Sequence, residues 1–146
     1  MADTTNDPQG TYELPSGQDW LLTQLVQWAE LGLATGVTLL VNGSVLSGIT
    51  SSERAYINSL KEGFAEGLAG SSAAGGVDRA FASILEAVDA AQSDEGPIPY
   101  PSYIHLTSAQ VFSPGSEPLP SKQAISIRVK LASVDSFSLG KMINSK

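Results

Sequence analysis

A chain of 146 residues, 42% of them apolar, can bury one core unaided, and the lack of cysteine excludes a disulfide framework, a thiolate zinc site and a cysteine nucleophile. The net charge of −7 is split: residues 1–96 carry 3 basic and 13 acidic side chains, and residues 97–146 carry 5 basic and 2 acidic. That acidic balance repels phosphate backbones, and no apolar run approaches the ~18 residues of a membrane span, so neither a nucleic acid nor a membrane is an expected partner.

The first fifteen residues are polar and aperiodic, and are expected to form an arm. They lack a basic patch followed by an apolar run, so no secretory leader is expected and the location is expected to be cytoplasmic. The globular domain is expected over 16–146. Ser16 is expected to cap a first helix over 19–33, with Asp19 in its first turn. Leu21, Leu25 and Trp28, with Leu22, Ala29 and Leu33, recur there at helical spacing.

"VTLLVNGSVLSGIT" (37–50) follows as a hairpin, because the Asn42-Gly43 pair suits a two-residue turn with positive φ at both positions. A two-residue loop sets Val41 against Ser44, Leu39 against Leu46 and Val37 against Gly48. Gly48 inside a strand marks a bulge or sharp bend. Helices are expected at 52–68, with Tyr56, Leu60, Phe64 and Leu68 in one stripe beside Ile57, and at 77–91, with Phe81, Ile84, Leu85 and Val88 inward. "AGSSAAGG" (69–76) connects them.

A Pro-rich break at 93–102 separates this part from three expected strands at 103–112, 124–131 and 134–139. Ile125, Ile127, Val129 and Leu131 alternate with Ser126, Arg128 and Lys130, which predicts one buried and one solvated face. The expected fold is α+β: a small five-stranded antiparallel SH3-like or Sm-like barrel, or a strongly bent sheet, with an N-terminal helix and a two-helix insertion after the second strand. A partly open sheet with helices on one face is the alternative.

Catalytic signals are few. His105, the single histidine, falls on the strand side opposite Ile104 and Leu106, where an exposed or hydrogen-bonded structural ring is expected and a triad member is not. Glu62 and Glu66 stand four apart without the further ligands a metal needs, and "SDE" at 93–95 is expected to be a turn without the alternating oxygens of a calcium loop. "GLAGSSAAGG" lacks the Gly-Lys-Ser/Thr ending of a phosphate loop. An Sm-like strand order raises an RNA reading, but no aromatic-basic cluster offers a stacking platform. No enzyme, cofactor or metal is expected. The basic Arg128, Lys130 and Lys141 are the candidates for contact with an acidic partner, including the acidic part of another copy.

The stretches "DWLLTQLVQWAE", "GVTLLVNGSVLSGIT", "YIHLTSAQVFSPGSEPLP" and "VKLASVDSFSLGKM" resemble, in order and spacing, the gas vesicle accessory protein U family over roughly residues 19 to 143. The resemblance implies a small cytoplasmic, vesicle-associated accessory protein that acts on the assembly, organisation or clustering of gas vesicles and does not form their shell. Its implied partners are the shell or other gas vesicle proteins and a second copy in a homo-oligomer, and it assigns no binding residue. The other reading left open is an SH3-like or Sm-like binding module outside the gas vesicle system.

Overall fold

The computed structural model describes residues 17–93 and 100–143, and the arm expected at 1–15 lies outside them. Along the chain run α1 (Trp20–Glu30), β1 (Gly36–Val41), β2 (Ser44–Ser51), α2 (Glu53–Gly67), α3 (Gly76–Ser93), β3 (Tyr103–Phe112), β4 (Ile125–Lys130), a 3-10 turn (Leu131–Ser133) and β5 (Val134–Leu139). Of the turn expected at 93–95, only Ser93 is described, as the last residue of α3.

The ends of α1 are set by local chemistry. Asp19, and not the expected Ser16, is the cap: its Oδ1 accepts the Leu21 and Leu22 amides at 2.8 and 3.0 Å. At the other end Gly32 takes φ +91°, with Gly32 N–H donating to Ala29 and Leu33 N–H to Trp28. This paired pattern satisfies the last carbonyls and stops the helix at Glu30, short of the expected Leu33.

The five strands form one antiparallel sheet in the order β4-β3-β2-β1-β5. The hairpin register has Val41 opposite Ser44, Leu39 opposite Leu46 and Val37 opposite Gly48, around Asn42 and Gly43 at φ 51° and 81°. The expected barrel does not close: β4 and β5 are the two edges, and no ladder joins them among the described residues. Closure needs hydrogen bonds between those edges, and the 3-10 turn stands between them in the chain.

That turn still dictates curvature. Four residue steps from Lys130 to Val134 span at most ~14 Å, whereas the edges of a flat five-stranded sheet lie about 19 Å apart. The sheet therefore curls, and its concave side collects Val37, Leu39, Val41, Leu46, Ile104, Leu106, Ala109, Ile127, Val129, Val134 and Phe137. Leu22, Leu25 and Val26 of α1 close this core.

A bulge in β3 governs the rest of the register. Ser108 takes φ 50°, and β3 gains one residue against β4 between Leu106 and Ala109 and against β2 between Thr107 and Gln110. Gly48 lies against this bulge, so the kink it signals belongs to the adjacent strand. Beyond the bulge Ile125 pairs with Ala109 at the sheet edge and is 45% exposed, against the expectation that it joins Ile127, Val129 and Leu131 inside. Ile84 also departs from expectation: it is exposed, while Phe81 and Val88 are buried and Leu85 is half-buried.

Candidate functional site

Three surfaces are candidates, and each follows from the elements above. The first is α1. Among its eleven residues only Glu30 is charged, yet a surface helix ordinarily turns a charged face to water. Leu22, Thr23, Leu25, Val26 and Ala29 form the buried side. At 100° per residue Trp20, Leu21, Trp28 and Leu31 share the opposite stripe, with Trp20 67%, Trp28 38% and Leu31 85% exposed. Both tryptophans of the chain stand here. Trp28 falls in an apolar stripe by helical spacing, which does not separate the side that binds the sheet from the side that faces solvent.

The second surface is the groove between α2 and α3, with a volume of about 440 Å³. Tyr56, Ile57 and Leu60 form one wall, Phe81, Ile84 and Val88 the other. The ion pair of Glu53 and Arg128, at 3.4 Å, lies at its rim.

The third is the convex face of β3 and β4, where two of the three sequence-predicted cations lie. Arg128 and Lys130 are both exposed on β4, but only one is unengaged. The Arg128 guanidinium bonds Glu53 and sits 4.0 Å above the centre of the Tyr103 ring, so it holds the start of α2 to the sheet. Lys130 enters no ion pair among the described residues. Lys141 is not beside them. It follows β5 at the opposite edge, its backbone N 3.0 Å from where a Cβ on Gly36 would stand, with Thr38 Oγ1 donating to the Gly140 carbonyl and Met142 N–H donating to Ser47 Oγ.

His105 is on the convex face as expected, but it is neither exposed nor hydrogen-bonded. It is 4% exposed beneath the Tyr56 ring, at 4.9 Å between ring centres, and neither ring nitrogen has a hydrogen-bond partner among the described residues. Burial, with a smaller contribution from the Arg128 charge across the ladder, lowers its pKa to about 4. The periodicity gave its side of the strand. It could not reveal that α2 would lie on that side.

Glu30 joins the three helices. Its Oε1 accepts the Glu53 amide at 2.7 Å, and its Oε2 accepts from the Gln92 side chain at 3.1 Å. Burial raises its pKa above the ordinary carboxylate range, and the Glu53 charge adds to this. Glu62 and Glu66 stay exposed on α2, and among the described residues no group of three or more His, Asp or Glu side chains gathers as metal ligands. No helix among those residues is long and apolar enough to cross a membrane.

An arrangement of aromatic stripe, apolar groove and edge cations is suited to contact between proteins. The family model described as "Gas vesicle protein GvpU-like" matches residues 19–142, from the cap of α1 to the segment beyond β5. The chain belongs to the GvpU-like family of gas vesicle proteins. This family member matches no curated protein and no solved structure. Membership decides between the two functional readings of the sequence in favour of the gas vesicle context.

Proposed function

We propose that this member of the GvpU-like family is a non-enzymatic accessory protein that acts on gas vesicle assembly, organisation or clustering through protein–protein contacts. The observation that carries the reading is the exposed stripe of Trp20, Trp28 and Leu31 on a helix almost without charge. Large rigid aromatics left in water are the residue type that anchors interfaces, and truncating such an anchor costs about 2 kcal/mol or more.

The partner is the vesicle shell or another gas vesicle protein, and two-sided contact, by self-association or a second patch, would bring vesicles together. Arg128 and Lys130 on β4 form the second patch, directed at an acidic surface such as that of another copy, with Lys141 a separate cation at the opposite edge of the sheet. Lys130 is its principal member, because Arg128 is engaged by Glu53 and Tyr103.

Co-sedimentation with purified vesicles tests the main contact. Trp20→Ala with Trp28→Ala is expected to leave the circular dichroism spectrum unchanged and to abolish vesicle binding. Full binding by this double variant would remove the stripe as the contact.

A further inference from the structure

The helix pair and the sheet meet through a seam that is thin and mostly polar. α2 and α3 hold each other with a small core, Ile57, Val77, Phe81 and Val88, separate from the core under α1. Toward the sheet they present the Ser59–Ser126 hydroxyl contact at 3.0 Å, the Glu53–Arg128 ion pair, and Tyr56 over His105. One residue, Ser52, separates β2 from α2.

The ring of His105 is the unsatisfied element of this seam. The groups around it are Tyr56 from α2, Arg128 from β4, Ser51 from β2, and Tyr103 and Thr107 along its own strand. The carboxylate nearest these, Glu53, is bound to Arg128, and His105 enters no ion pair among the described residues. A second proton would therefore create a buried cation with two N–H donors, no acceptor, and a guanidinium across the ladder.

We propose that the α2–α3 hairpin is a detachable cover that lifts from the convex face of β3 and β4 when His105 takes up a proton, while the core under α1 stays folded. Lifting hands both ring N–H groups to water. This motion does not depend on which surface meets the vesicle.

The sign follows from the direction of the shift. The closed form holds His105 at about 4, against 6.5 for a solvated ring, so closure is undiminished above pH 6.5 and weakens as pH falls toward 4. The ratio of closed to open molecules drops by about 30-fold between pH 7.5 and 5. Glu30 acts in the opposite direction, since its raised pKa lets acid favour the folded junction. The His105 effect must therefore be isolated by substitution.

The chain has no cysteine, so Glu86→Cys on α3 and Ser138→Cys on β5, both exposed, accept spin labels cleanly. Double electron–electron resonance is expected to give one narrow distance at pH 7.5 and a growing, reversible longer population by pH 5. Adding His105→Phe should keep the narrow distance at both values. As a second measurement in the unsubstituted chain, the one imidazole gives an unambiguous NMR titration, which must track the longer population while the β1 and β3 amides keep their dispersion. If His105→Phe does not fold, that titration decides alone. The proposal is overturned by a single distance throughout, by equal opening in His105→Phe, by titration of the ring without separation, or by simultaneous loss of the β1 and β3 amides.

Discussion

Replacing Gly48 by alanine adds one carbon where the bulge in β3 leaves no room for it. The new Cβ would stand 2.9 Å from the Thr107 carbonyl oxygen and 3.1 Å from both Cα and Cβ of Ala109. Two of those three atoms are backbone, so they cannot rotate away, and the bulge itself is fixed by Ser108 at φ 50°. Overpacking of this kind costs about 1–3 kcal/mol, which for a chain of this size lowers Tm by roughly 3–12 °C.

The same substitution at Gly63, inside α2 with nothing within 4 Å, should act in the opposite direction. Alanine there gains about 0.5–1 kcal/mol from helix propensity and reduced freedom of the unfolded chain. Urea denaturation of both variants, followed by circular dichroism and compared at equal m-value, measures the pair. A Gly48→Ala protein as stable as the unsubstituted chain would refute the close approach of β2 to the bulge.

Gly43→Val forces a β-branched residue to φ 81° in the hairpin turn and should cost roughly 1–2 kcal/mol, again by denaturant titration. Val129→Asp puts a carboxylate without a partner into the main core and should prevent folding, which a lost pattern of dispersed amide resonances would show. Lys130→Glu should leave stability unchanged and weaken vesicle association at low salt. Arg128→Glu should also lower Tm, because it places a carboxylate against Glu53 and removes the cation above Tyr103. Equal Tm values for the two reversals would deny Arg128 its hold on α2.

Much of the fold was legible because its signals are local. The Asn42-Gly43 turn fixes the hairpin register without help from the rest of the chain, and the alternation from Ile127 to Leu131 assigns its own faces. What escaped depended on residues far apart. Ile125 keeps the alternation but loses its burial to a bulge on the neighbouring strand. The expected five antiparallel strands are present but the expected closure is not, since pairing between edge strands leaves no mark in either strand.

The candidate site was less legible for the same reason. Arg128 and Lys130 look equivalent in sequence, and the positions of Glu53 and Tyr103 tell them apart. Trp28 looks like a core residue until the sheet has selected the other side of α1. His105 becomes unusual only once α2 covers it.

The pairing of β5 with β1 sets the timetable of synthesis. β1 ends at Val41 and β5 begins at Val134, so 93 residues must be added before the outer edge of β1 finds its partner. At ribosomal speeds of about 5–20 residues per second, that edge stays unpaired for roughly 5–20 s. During this interval the hairpin presents unsatisfied amides and carbonyls flanked by Leu39 and Leu40, a template for pairing with another nascent chain. A ribosome that stalls or terminates before Val134 therefore releases a sticky half-sheet, and chaperone demand should rise with the time spent translating α2 and α3.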